Sequence, residues 1–330
     1  MLFRILGLVE AQDEQTGERI LPTGAKQRAL LGALVVKAGH NVSAHRLIDE
    51  LWGEHPPANA ANALQVHVAR LRRLLAGPQG PDSGPSDRRP WIVTTSHGYT
   101  LQLAAVETDA TRFHQLTGQG RRVLSQDPGQ AGELLRHALS LWRGPALEGS
   151  VLGDICAVEA AQLEELRLTA MEMMYDAYLR TGRHREITGE LVELTIDHPL
   201  REGFYDLLMT ALYRCGRQAE ALGVYARARN RMVHELGVEP GPALRRLRAR
   251  ILHQDPGLVL AAAPLPAVPP PLETVPVSVE PAADAALLPL YEEIARLHRR
   301  IERLQQEQTQ LMCRLDELAA SPTTQQVAAG

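Results

Sequence analysis

A nine-residue stretch returns once along the chain. Tyr178-Leu-Arg-Thr-Gly-Arg-His-Arg-Glu186 recurs as Leu212-Tyr-Arg-Cys-Gly-Arg-Gln-Ala-Glu220, and Arg180/Arg214, Gly182/Gly216, Arg183/Arg217 and Glu186/Glu220 are identical at an offset of 34 residues. A helix–turn–helix unit of that length cannot bury its apolar face alone and must stack on neighbours. Each glycine is expected to end the first helix of its pair, and each following arginine to open the turn. Residues 129–144 (GQAGELLRHALSLWRG) read as part of a third, degenerate unit. An all-α, tetratricopeptide-like domain over 106–255 follows. Arg183 and Arg217 read as turn and capping residues, although a concave groove could use them for an acidic partner.

The flanking segments have other textures. Residues 2–9 (LFRILGLV) read as a strand, with Arg19–Leu21 a second candidate. From Gly24 the period changes, and Leu30, Leu31, Leu34 and Val35 mark one face of a helix that Gly39 can stop. Ser43 is placed to N-cap a second helix, with Leu47, Ile48 and Leu51 inward and Gly53 at its end. A third helix is expected from about Ala58 to Leu75, with Leu64, Val68, Leu71 and Leu75 as its apolar stripe. Residues 77–90 form a loop, and 91–103 (WIVTTSHGYTLQL) a hairpin about Ser96-His97-Gly98. Beyond the helical domain, 256–289 hold nine prolines and read as an extended linker.

Leu290, Ile294, Leu297, Ile301, Leu304, Gln308, Leu311, Leu315 and Leu318 then alternate spacings of four and three, a heptad seam predicting a coiled-coil helix over 290–318 and a disordered tail over 319–330. Ile at a with Leu at d favours a parallel dimer. The g-position charges Glu293, Arg300, Glu307 and Arg314 pair only in an antiparallel one, so the direction stays open.

The chain has 330 residues, 45% hydrophobic and 22% charged, enough to bury a large core. Cys156, Cys215 and Cys313 lie far apart, which excludes a disulfide framework and a cysteine-built zinc site; they read as small hydrophobes in a reducing, cytoplasmic setting. No apolar run reaches the length of a bilayer span, and no secretory leader is visible, so no membrane partner is expected. Net charge runs from +2 in 1–105 through −2 in 106–255 to −4 in 256–330, so charge alone does not announce a nucleic-acid partner. The phosphate-loop, dinucleotide, zinc-protease and nucleophile-elbow motifs are missing. His184 and His198 are too far apart to share a helix face, and Glu164-Glu165 and Glu292-Glu293 read as solvated pairs. The expectation is a chain that is not an enzyme and takes no cofactor.

Strand, helix, Ser-capped helix, long helix and hairpin is the order of a winged helix-turn-helix, whose third helix enters the major groove. Opposite its core stripe that helix carries Asn59, Asn62, Val66, Ala69, Arg70 and Arg73, with His67 and Arg72 at the edges. Asn can read adenine and Arg guanine, and any of the arginines can instead hold phosphate. Thr94, Thr95, His97 and Tyr99 stand at the wing. A solvated helix face explains the same residues without DNA. Trp52 and Trp142 precede glycines at helix ends and read as packing residues.

Lys26-Gln-Arg-Ala-Leu-Leu31, Val42-Ser43, Arg46-Leu47-Ile48, Leu51-Trp52-Gly53, Pro56-Pro57, Val68-x-Arg70-Leu71-Arg72 and Gly98-Tyr99 resemble the OmpR-type DNA-binding domain of the Streptomyces antibiotic regulatory proteins. Leu141-Trp142-Arg143-Gly144, His198-Pro199-Leu200-Arg201-Glu202, Met209-x-Ala211-Leu212-Tyr213, Gly216–Leu222 and Glu235-Leu236-Gly237-x-x-Pro240-Gly241 resemble that family's bacterial transcriptional activation domain. The resemblance covers roughly 1–255. It implies DNA contacts from Asn62, Val66, His67, Arg70 and Arg72 on the recognition helix and from Thr94, Thr95 and Tyr99 on the wing. Arg73 is added from the helix face. His97 stands where the family usually has glycine, and the wing loop is shorter than in many OmpR-type relatives.

The expected architecture is therefore mainly α: a winged helix-turn-helix (1–105), an all-α tetratricopeptide-like activation domain (106–255), a proline-rich linker (256–289), a coiled coil (290–318) and a tail. The resemblance implies an activator of a secondary-metabolite gene cluster that binds direct repeats in double-stranded promoter DNA near the −35 region and recruits RNA polymerase holoenzyme. A homodimer or tandem dimer on DNA is expected, closed through Leu290, Ile294, Leu297, Ile301, Leu304, Leu311 and Leu315. The rival reading is a tetratricopeptide-like scaffold that binds only proteins.

Overall fold

The computed structural model describes residues 1–14, 16–76, 91–102 and 108–258. The coiled-coil seam, the tail and all but the first three residues of the expected linker lie outside the described residues.

The N-terminal run does not continue as one strand. β1 (Leu2–Arg4) pairs antiparallel with β2 (Glu10–Gln12), which pairs with β3 (Arg19–Ile20). Between β1 and β2 the backbone turns away to bond with the helical domain. The Ile5 and Leu6 N–H groups donate to the Asp109 carboxylate at 2.8 and 3.1 Å. The Ile5, Leu6 and Gly7 carbonyls accept from the N–H groups of Leu147, Arg143 and Glu148 at 2.8, 2.9 and 3.0 Å. Gly7 has φ +132°, and a Cβ there would lie 3.0 Å from Arg143 Cβ, so the close approach requires glycine. Backbone groups that a neighbouring strand would otherwise satisfy are satisfied across the junction instead.

α1 (Ala25–Val36), β4 (Val42–Ser43), α2 (Ala44–Trp52), α3 (Ala60–Ala76), β5 (Ile92–Thr94) and β6 (Gly98–Leu101) complete the winged helix-turn-helix, with strand order β4-β6-β5. Ser43 Oγ accepts from the Arg46 N–H, the expected cap. α3 starts two residues later than the sequence pattern suggests, with Asn59 Oδ1 accepting from the Asn62 N–H. Leu64, Val68, Leu71 and Leu75 are all buried, as the stripe requires.

The helical domain comprises α4 (Asp109–Val123), α5 (Pro128–Leu139), α6 (Asp154–Arg180), α7 (Thr188–Asp197), α8 (Glu202–Arg214), α9 (Gln218–Leu236) and α10 (Pro242–Leu252). The repeat falls at matching places. Gly182 and Gly216 have φ +82° and +78° after α6 and α8. The N–H groups of Arg183 and Arg217 reach back to the Tyr178 and Leu212 carbonyls, both at 2.9 Å, closing the same C-terminal cap twice. Arg183 and Arg217 pair with Glu186 and Glu220 three residues on, so they open the turns. α4 and α5 form the third pair.

The activation-domain motifs are internal struts. Arg201 bridges Glu165 (2.8 Å) and Glu172 (2.7 Å) on α6, and Glu202 accepts from the Gly241 N–H at the start of α10. The domain also runs slightly past its expected end. Pro256–Leu258 forms a 3₁₀ turn with Leu258 buried and its carbonyl accepting from Arg214 Nε at 2.9 Å.

Both parts share one compact unit with a continuous core. Buried Glu10 accepts from Arg143 (2.9 Å) and Arg4 (3.3 Å), and Arg143 also reaches Asp109 (3.3 Å). From α2, buried Glu50 receives the Gly153, Ile155 and Cys156 N–H groups at 3.1, 2.7 and 3.0 Å, placing a carboxylate at the N-terminus of α6. Burial, with Glu50 beside it, pushes the Cys156 thiol above its ordinary range, as befits a core residue.

Asp109→Ala strands two buried N–H groups and one arm of Arg143. A loss of ~2–4 kcal/mol is expected, larger than for Asp109→Asn, which keeps an acceptor. Urea unfolding of the two variants beside wild type measures it.

Candidate nucleic-acid interface

On a 3.6-residue period, burying Leu64, Val68, Leu71 and Leu75 turns Asn62, Val66, Ala69, Arg70 and Arg73 to the opposite side of α3. All five are exposed. Val66 is 48% exposed, an apolar side chain in the middle of a polar ridge. Among the described residues neither Arg70 nor Arg73 has a carboxylate partner, and the Arg73 guanidinium touches only the Ala69 carbonyl of its own helix. The structure thus brings Asn62, Val66, Arg70 and Arg73 together as one ridge.

The two edge residues are built differently. His67 is half-buried beside the Trp52 ring (centroids 5.9 Å apart), and Lys26 Nζ lies 4.9 Å from the centre of that ring. Its Nδ1 has no partner among the described residues. Burial, then the charges of Arg70 and Lys26, hold the imidazole below its ordinary pKa. Trp52 packs, as expected, and in doing so orders His67.

Arg72 is committed to the hairpin. Its Nε donates to the Ile92 carbonyl at 2.9 Å and its Nη2 to Thr94 Oγ1 at 2.7 Å. The guanidinium fork fixes the wing at one spacing from α3. Thr94 is exposed, and Thr95 Oγ1 donates to Asn41 Oδ1 at 2.7 Å, tying the wing to the turn before β4. Gly98 is required because a Cβ would overlap the Val42 carbonyl oxygen. His97 occupies the turn without positive φ, so the family's usual glycine is not needed at that position.

Tyr99, expected as a wing contact, is 8% exposed, opposite Val42 and Thr94 in the sheet. β6 is the central strand, and its period of two puts Tyr99 on the same inward face as Leu101. Lys26, in the first turn of α1, and Asn41, just before β4, are the supports that pattern reading missed, because only the packing shows Lys26 over Trp52 and Asn41 on Thr95.

Comparison with known proteins decides the family. Residues 17–98 match the model described as "Transcriptional regulatory protein, C terminal", and 108–252 match the "Bacterial transcriptional activator domain". Transcriptional regulator RedD of Streptomyces coelicolor is 42% identical over 259 residues, 78% of this chain and 72% of RedD. The chain belongs to the Streptomyces antibiotic regulatory protein family of transcriptional activators. Regulatory protein DnrI of Streptomyces peucetius is 36% identical over 78% of this chain and 94% of its own. Regulatory protein AfsR of Streptomyces coelicolor is 42% identical, but the chain spans only 24% of that protein's length. Among solved structures, Mycobacterium tuberculosis EmbR in complex with a low-affinity phosphopeptide superposes with a TM-score of 0.69 at 34% identity, over 77% of this chain and 65% of that one. The junction residues Leu141–Gly144 fall inside the second match. No helix of the described residues is long and apolar enough to cross a membrane.

The lowered pKa of His67 gives a pH dependence with a definite sign. As pH falls below the ordinary imidazole value of 6.5, the unfolded chain takes the proton first. The part of stability owed to neutral His67 is present above that pH and lost below it. His67→Gln should therefore lose less stability than wild type between pH 7.5 and the acid side of 6.5, read by urea melts in matched buffers.

Proposed function

We propose that this chain is a cytoplasmic, pathway-specific activator of a secondary-metabolite gene cluster. Residues 1–105 grip double-stranded promoter DNA at direct repeats near the −35 region, and 106–255 recruit RNA polymerase holoenzyme. The observation that carries the reading is the ridge of Asn62, Val66, Arg70 and Arg73, opposite a fully buried stripe and braced to the wing by Arg72. In this arrangement Asn62 and Arg70 read base edges, Val66 offers an apolar contact to a thymine methyl, and Arg72 holds the wing from which Thr94 and Thr95 approach the backbone. His67 supports the reading ridge from its edge. The rival scaffold reading leaves the unpaired ridge arginines and the helix–wing brace without a task.

Arg70→Ala and Asn62→Ala should each cost about 1–3 kcal/mol on the preferred site and relax base preference there. Arg72→Ala should weaken binding to all sequences. Band shifts with fragments enriched from random duplexes by the full chain measure both effects. An Arg70→Ala chain with unchanged affinity and preference would overturn the reading.

A homodimer, or tandem dimer on DNA, joins copies through the seam at 290–318. The proline-rich stretch between lets two winged domains lie head to tail while the seam keeps its own symmetry. Ile301→Asp at the seam centre should convert a dimer to a monomer in sedimentation runs at micromolar concentration. Wild type that already sediments as a monomer there would exclude the seam as a dimer contact.

A further inference from the structure

Beside the ridge, α3 and the start of α1 enclose a shallow cavity of about 330 Å³ lined by Thr23, Gln27, Arg70, Arg73 and Leu74. No acid lines it, and among the described residues neither arginine is engaged by a carboxylate. Gln27 is 4% exposed, an unusual burial for a polar amide. Its Oε1 accepts from the Thr23 N–H and Oγ1, both at 3.3 Å, so its Nε2 hydrogens are the end left without an acceptor among the described residues. Gly24, the residue before α1, supplies no side-chain cap, so the first N–H groups of the helix stand open nearby. An amide donor on the cavity wall, two guanidinium groups that meet no carboxylate among the described residues and no competing anion in the lining make a site for an anion with several oxygens.

The position of the cavity says which anion. Arg73 lies eleven residues beyond Asn62 on the helix, about 16 Å along its axis. The major groove is only about 12 Å wide. In a docking where α3 crosses the groove with Asn62 over the base edges, Arg73 is carried to the bordering strand, where phosphodiesters stand.

We propose that the cavity between α1 and α3 is a docking site for one phosphodiester of the DNA backbone, held by Arg73 and Gln27 with Arg70 alongside. The inference rests on the DNA-binding reading above and adds to it a fixed anchor outside the base-reading set. Arg73 and Gln27 set register and affinity on every duplex, while Asn62 and Arg70 set preference.

The test uses the full chain on two probes, the duplex it enriches from a random pool and a mixed-sequence duplex of equal length. Arg73→Gln is an exposed substitution that leaves the melting transition in place. It should lower the slope of log K against log salt by about one on both probes. Gln27→Leu keeps the buried volume, removes the amide and should weaken both probes several-fold. In ethylation interference, wild type should be blocked by ethylation of one phosphate beside each site, and Arg73→Gln should lose sensitivity at that phosphate alone. If Arg73→Gln binds with wild-type slope and the wild-type interference pattern, the phosphate site is overturned while the reading stands. If the chain enriches no duplex at all, the DNA-binding reading falls and the site with it.

Discussion

The Asp109 carboxylate is the interaction on which the rest of the structure depends. It sits at the first residue of the helical domain and takes two N–H groups from the bend after β1, so the end of the first strand is defined by the start of α4. Burial pushes this carboxyl above the ordinary range, against the pull of the Ile5 and Leu6 amides and of Arg143. An acid held in so dry a place is retained for its geometry, since an apolar residue of similar size would leave the bend's amides without acceptors.

From that point the connections run in both directions. Arg143 links Asp109 to Glu10 on β2, and Leu147 packs within reach of Gly32 on α1, where a Cβ would come 2.9 Å from its Cδ2. Glu50 on α2 holds the N-terminus of α6, the longest helix described, while Trp52, two residues on at the end of α2, packs against His67 of α3. The recognition helix is therefore two packed contacts from the helical repeats.

The arginines divide by surroundings. Arg28, Arg72, Arg143, Arg201 and Arg214 spend their donors on backbone carbonyls or carboxylates inside the protein. Among the described residues Arg70 and Arg73 meet no carboxylate, and Arg73 reaches only the Ala69 carbonyl of its own helix. In sequence Arg70, Arg72 and Arg73 are near neighbours on one helix with equal claims on DNA. Their separation into one internal brace, Arg72, and two exposed side chains, Arg70 and Arg73, comes from what the hairpin and α1 place opposite each of them.

Periodicity by itself determined the buried stripe of α3, the Ser43 cap, the paired helices about Gly182 and Gly216 and the hairpin at Gly98, because each is a local pattern: a helical repeat, an oxygen one turn from an open N–H, a glycine where φ is positive or a backbone comes close. The exposed ridge followed as the complement of the stripe. Residues 2–9 misled as a single strand because their alternation carries no record that Asp109, more than a hundred positions away, supplies the partner their amides need. The burial of Tyr99 is of the same kind: its ring, next to a turn in the sequence, lies on the face of β6 that it shares with Leu101. Gln27, at the head of α1, showed nothing unusual until α3 lay beside it. Local spacing decides which elements form and which face they bury; only the tertiary structure decides which polar groups are consumed inside and which remain for a partner, since burial and hydrogen bonding are settled by groups far apart in the chain.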